Sequence, residues 1–155
     1  MKIYLVAAAM AVISSTALAA DPAQHARELT PADITFEDNP AFPKGAQSIL
    51  IHGDPSKAEF FIIRLKFPPN YVVPAHTHPA LESVTVLSGS MGSGMGETVD
   101  TSKGKMLGEG SLLILPANHA HYVWTEDEET IIQVAANGPF DIVYVNPEED
   151  PRKKK

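Results

Sequence analysis

The chain contains no cysteine, which removes disulfides and thiolate metal ligands together and leaves packing as the source of stability. Positive charge is scarce as well: 12 Lys and Arg stand against 19 Asp and Glu, a formal charge of −7. Nucleic acid, whose phosphates demand basic patches, is not an expected partner on that balance. Beyond the first twenty residues no apolar run reaches the roughly 20 residues that cross a bilayer, so stable membrane insertion is not expected. A long helical period is missing too. Although Gly92, Gly94 and Gly96 are closely spaced, no Gly-Lys-Ser/Thr follows them to make a phosphate loop.

Residues 1–20 carry the marks of a secretory signal peptide. Lys2 is a minimal basic start, Ile3 to Ile13 an apolar core, and Ala17-Leu18-Ala19 a small-residue cleavage site. One basic residue cannot make a twin-arginine signal, so the expected route is general secretion of the unfolded chain, ending in the periplasm or outside the cell. The mature protein, from Ala20 or Asp21, has about 135 residues, enough for one domain with its own core. Residues 21–46 read as an irregular arm, interrupted by Pro22, Pro31, Pro40 and Pro43, with a short helical turn around Thr30 to Asp33. Residues 147–155 form a charged tail, whose Arg152-Lys153-Lys154-Lys155 run reads as a solvated end.

Between them, residues 47–146 read as short strands separated by turns. Phe61, Ile63, Leu65 and Phe67 alternate with Ile62, Arg64 and Lys66, the period of a half-buried strand. Gln47–His52, Ser83–Leu87, Leu112–Leu115, His121–Trp124, Thr130–Ala135 and Asp141–Val145 are further strands. Seven to nine such strands indicate an all-β sandwich or barrel. In Met91-Gly92-Ser93-Gly94-Met95-Gly96, glycines fall on one face of a strand. That face either receives a closely packed neighbour or leaves space for a ligand, and Met91 and Met95 opposite are expected core residues. Glu126-Asp127-Glu128-Glu129 reads as a solvated hairpin tip.

The chemistry is carried by His76, His78 and Glu82, together with a third histidine after Pro116. On a strand rising about 3.3 Å per residue, His76 and His78 share a face with Cα atoms roughly 6.6 Å apart, close enough to converge on one ion. Any one of these histidines alone would read as an ordinary surface or core residue. Four ligand-type groups at strand ends read as one metal site: His76, His78, Glu82 and His121. Imidazole and carboxylate together suit Fe, Mn, Ni, Cu or Zn rather than Ca or Mg.

The two segments resemble the cupin family. The first motif, usually G-x5-H-x-H-x3,4-E-x6-G, appears as Asn70-x5-His76-x-His78-x3-Glu82-x6-Gly89. The second, usually G-x5-P-x-G-x2-H-x3-N, appears as Gly110-x5-Pro116-x-Asn118-x2-His121-x3-Thr125. All four ligand positions match. Asn70 and Asn118 replace glycines and, as asparagines, tolerate the left-handed turns required; Thr125 replaces the last asparagine in what reads as a loop. Motif spacing favours His121 over His119 as the third histidine.

The resemblance covers about residues 45–146 and implies a small jelly-roll barrel with the metal inside it. It further implies a small organic substrate that chelates the ion, in dioxygenase, lyase or isomerase chemistry. The alternative is a non-catalytic periplasmic protein that binds or senses a small molecule or metal. Candidate acid–base groups are Glu82, Tyr71, Tyr122, His119 and Gln133. Cupins also commonly form homodimers through outer strands, and the arm could supply a swapped or added edge.

Overall fold

The computed structural model describes residues 26–153; the expected signal peptide, the start of the arm and the last two lysines lie outside the described residues. Eleven strands follow in order: β1 (Glu37–Asp38), β2 (Gln47–His52), β3 (Phe60–Phe67), β4 (Val72–Thr77), β5 (Glu82–Ser88), β6 (Ser90–Met95), β7 (Lys105–Gly108), β8 (Leu112–Leu115), β9 (His121–Trp124), β10 (Thr130–Asn137) and β11 (Val143–Tyr144). They form a six-stranded sheet, β1-β2-β3-β10-β5-β8, and a five-stranded sheet, β11-β4-β9-β6-β7. All pairings are antiparallel. The expected all-β jelly roll is the observed architecture. Among the described residues no helix is long and apolar enough to cross a membrane.

The alternation read from the sequence sets which side chains face inward. In the first sheet Leu65 lies opposite Ile132, and Ile132 opposite Val86; Ile63, Val134 and Val84 make the next row. Val73, Met91 and Val123 face them from the second sheet, within the same buried cluster. Burying these branched and aromatic side chains, each of order 1.5–3 kcal/mol, is what holds two sheets together without a disulfide.

The glycine-rich strand β6 is explained by packing, not by a ligand. A Cβ on Gly92 would lie 2.0 Å from Trp124 Cε2, and one on Gly94 would lie 2.2 Å from Tyr122 Cζ. The two rings therefore lie directly on bare backbone. Residues 100–106 cover them: Gly104 also abuts Trp124, and the Tyr122 hydroxyl donates to the Asp100 carbonyl at 2.7 Å. Met91 belongs to the core as expected. Met95 does not; it is 48% exposed near the strand end.

The N-terminal arm adds an edge to its own sheet. Glu37 and Asp38 pair with Ser48 and Gln47, and the turn at Pro31–Asp33 is closed by a reciprocal Thr30–Asp33 capping box. Ala41 and Phe42 pack on the core, with the Phe42 ring 6.0 Å from that of Phe67. The tail reading is corrected at Arg152, which is docked rather than solvated. Its guanidinium bonds both oxygens of Asp150, the Asp141 carboxylate at 2.9 Å and the Ile142 carbonyl at 2.8 Å, matching its planar fork to carboxylates.

Candidate metal centre

The two asparagines that stand for glycines make left-handed turns: Asn70 has φ 55° and Asn118 φ 60°. The Asn118 turn joins the two motifs physically, because its N–H donates to the His78 carbonyl at 2.7 Å. Thr125, by contrast, is no loop bystander. It is buried, accepts a hydrogen bond from the Tyr71 N–H at 3.0 Å, and donates to the Pro68 carbonyl at 2.6 Å. A threonine hydroxyl can do both, so it pins the entry of β4 to the exit of β9.

His76 and the residue opposite it, His121, project from β4 and β9 into the interior; His78 follows one residue after β4, and Glu82 opens β5. All four are buried. Ring nitrogens of the three histidines lie within 4.8 Å of one another. Two nitrogens sharing one ion at about 2.1 Å sit roughly 3–4 Å apart, so modest side-chain movement closes the set. Glu82 stands beside two of the three, with Oε1 at 3.1 Å from His121 Nε2 and 3.5 Å from His78 Nε2.

Each imidazole is oriented by backbone. Nδ1 of His76 donates to the Pro74 carbonyl at 2.6 Å, that of His78 to Asp141 at 2.7 Å, and that of His121 to His119 at 3.0 Å. A carbonyl only accepts, so each Nδ1 carries a proton, and a ring in its neutral form turns a bare Nε2 toward the others. The Nε2 of His121 and the Glu82 carboxylate lie 3.1 Å apart in a buried site. Only a positive charge between them, a metal ion or a proton, makes that arrangement favourable. The donor set fits a transition metal.

Burial pushes His76 well below the ordinary imidazole value, with His121 and His78 adding to the effect, and burial lowers His78 against the pull of Glu82. Both rings therefore stay in the neutral, ligand-competent form. In the metal-free protein the unfolded chain takes up protons near pH 6.5 at histidines that the folded chain keeps neutral. Stability is accordingly full above that pH and lost as pH falls below it, by up to about 1.4 kcal/mol per pH unit for each histidine. Urea midpoints of the chelated protein at about pH 5 and about pH 7.5 should show this loss; equal midpoints would mean that these rings titrate as if in water.

A cavity of about 160 Å³ adjoins the four residues. Its walls include Ile63, Leu65, Val84, Met91, Ile132 and Val134. Its mouth is made by parts of the chain that carried no sequence signal for a site: Asn39 and Phe42 from the arm, and Phe140 and Asp141 before β11. Phe140 stacks on His78, with centroids 4.4 Å apart and planes 12° from parallel.

Four of the five acid–base candidates are corrected. Tyr71 is buried away from the cavity, stacked on Phe67, with its hydroxyl given to the Pro43 carbonyl and its ionisation pushed up by burial. Tyr122 has the opposite strand parity from His121 and lies on the outer face of its sheet. Gln133 likewise faces outward, accepting from Arg64 Nε at 3.1 Å. The His119 side chain is exposed, and only its carbonyl serves the site. Of the five, Glu82 alone lines the cavity.

Neither a protein-family model nor a curated protein matches this chain. Solved structures do. The polyketide cyclase RemF from Streptomyces resistomycificus shares 22% identity at a TM-score of 0.67, over 82% of this chain and 90% of that one. A double-stranded β-helix domain protein from Klebsiella pneumoniae shares 17% identity at 0.58, over 77% and 98%. A cupin-like protein from Thermotoga maritima shares 18% identity at 0.56, over 77% and 96%. The fold is that of the cupins, and the barrel holds three buried histidines able to bind a metal.

Proposed function

We propose that this protein is an exported, metal-dependent cupin that acts on a small organic molecule bound at a transition ion held by His76, His78, Glu82 and His121. The observation that carries the reading is the buried cluster itself: three histidine ring nitrogens within 4.8 Å of one another, Glu82 Oε1 at 3.1 Å from His121 Nε2, and no Lys or Arg among the residues lining the cavity. A buried carboxylate needs a partner of opposite charge, and a cation shared with three imidazoles supplies one. When bound, the ion polarises a substrate oxygen as a Lewis acid, or supports oxygen chemistry if it is redox-active. The chain's own residues orient the site through three backbone carbonyls, exclude water with apolar walls, and offer the Glu82 carboxylate as proton acceptor. Lyase, isomerase and dioxygenase chemistry all suit that equipment, and the polyketide cyclase RemF is an enzyme built on the same fold. Export rests on the signal-like residues 1–20 and places metal acquisition outside the cytoplasm.

A second reading, binding without turnover as a periplasmic carrier or sensor, is favoured by one observation. Tyr71, Tyr122, His119 and Gln133 all point elsewhere, and the other carboxylate at the cavity, Asp141, is engaged by Arg152 and the Ile142 N–H. Both readings require the ion. Elemental analysis of protein purified from its native compartment, without added metal or chelator, is expected to show near-stoichiometric Fe, Mn, Ni, Cu or Zn that is lost in His76→Ala. A redox metal directs the search to oxygenation, and zinc to Lewis-acid chemistry or binding. No metal in either sample would overturn the proposal.

A further inference from the structure

The three histidine rings are not held alike. Nδ1 of His76 and of His121 donates to the carbonyl two residues earlier, at Pro74 and His119, so each acceptor arrives with the ring's own stretch of chain. The acceptor for His78 is the Asp141 carbonyl, 63 residues away and 2.7 Å from Nδ1. The neighbouring Phe140 lies nearly flat on the same ring, with centroids 4.4 Å apart. The direction of His78 therefore depends on how residues 138–142 are fastened.

That segment is tied at both ends. At its start the N–H groups of Gly138 and Phe140 donate to the carbonyls of Glu59 and Pro55, at 2.9 and 2.8 Å. At its end stands the C-terminal turn. Arg152 Nη1 donates to the Asp141 carboxylate at 2.9 Å, and Nη2 to the Ile142 carbonyl at 2.8 Å. One guanidinium thus grips the residue that holds His78 and the carbonyl next to it. The guanidinium is itself fixed, because Nε and Nη2 bond the two oxygens of Asp150, a residue only 6% exposed. The Arg152 side chain is 35% exposed, where a lone ion pair is worth little. The hold comes from one rigid, planar fork shared among three acceptors.

We infer that Arg152 is a positioning residue for the metal site. The C-terminal turn latches residues 138–142, and through the Asp141 carbonyl and the Phe140 ring it sets the direction in which His78 presents Nε2. The inference rests on the metal-site reading above and extends that site to a side chain that touches none of the four candidate ligands.

The test compares the whole protein with Arg152→Ala and with Asp141→Ala, which keeps the backbone carbonyl that His78 uses. Lys153→Ala is the exposed tail control. In metal-free protein the three imidazole Nδ1 protons are followed by NMR, the His78 signal being the one absent from His78→Ala. Arg152→Ala and Asp141→Ala are each expected to speed exchange of that proton at least about tenfold, as local opening of the segment becomes easier. The His76 and His121 protons should keep their rates, which general destabilisation would not allow. The double variant should exchange no faster than the faster single one, since both break the same contact. Loaded with zinc, Arg152→Ala should release the ion to a chelator about tenfold faster, the lower end for an outer partner of a ligand. Lys153→Ala should match the unaltered protein throughout. An unchanged His78 proton in either variant, all three protons speeding up alike in both, or an equal effect of Lys153→Ala would overturn the latch. The two readings fail separately. If the unaltered protein binds zinc and Arg152→Ala releases it no faster, the latch falls and the metal site stands. If the unaltered protein takes up no zinc, the metal site falls and the His78 proton alone decides the latch.

Discussion

His121→Ala is expected to lose its metal, with affinity falling by more than about 100-fold, while His119→Ala keeps it within a few-fold. Removing a residue that merely orients a ligand typically costs 10–100-fold, so removing the ligand itself should cost more. The contrast is sharp because both histidines serve the same ring. His121 offers Nε2 beside Glu82, and His119 supplies only the carbonyl that holds His121 Nδ1. Alanine at 119 retains that carbonyl. Competition against a coloured chelator reads both variants, and equal loss in the two would show that the third ligand has been misassigned.

Gly94→Ala is expected to destabilise the fold by about 3 kcal/mol or more, the upper end of the cost of overpacking a filled site. Its Cβ would lie 2.2 Å from Cζ and 2.4 Å from the hydroxyl of Tyr122, a ring only 1% exposed and tied to Asp100. That ring cannot retreat without lifting residues 100–106 off the sheet. Gly108→Ala is the control, since nothing lies within 4 Å of its Cβ position, and it should change stability by less than about 1 kcal/mol. Urea unfolding followed by the fluorescence of Trp124, the single tryptophan, compares the two. A Gly94→Ala midpoint equal to that of Gly108→Ala would mean that the ring yields easily.

The barrel and the cluster were legible because both depend on local pattern. Strand period alone put Phe61, Ile63, Leu65 and Phe67 on one face, and the one-residue spacing of His76 and His78 put both on one face. Asn70 and Asn118 carried the turn geometry in their own identity, since few residues other than glycine adopt positive φ. What failed was anything that depends on distant packing. Tyr71 and Tyr122 adjoin the motifs in sequence, yet one is claimed by the Pro43 carbonyl and the other by Asp100. The mouth residues Asn39, Phe42 and Phe140 come from segments with no periodicity and Asp141 from the start of an expected strand, so their approach to the histidines follows only from closure of the barrel. Arg152 looked like a free cation because its partners Asp141 and Ile142 lie eleven and ten residues earlier, in a segment read as the start of a strand, and strand period says nothing of what the tail folds back upon.

The order of strands in the two sheets governs when the ion can act. The four candidate ligands sit on β4, just after it, at the head of β5 and on β9, and β9 is separated from β4 in the chain by β5 to β8, which lie in two different sheets. Closing that span costs chain entropy before any coordination bond repays it. In a half-folded chain an ion would find only the local set His76, His78 and Glu82, and would gain His121 when β9 pairs with β4. What the His121 bond adds would fall on the escape from the native state, lengthening the lifetime of the folded barrel. A barrel that folds before it meets an ion would stand first on its own hydrophobic core and be locked afterwards.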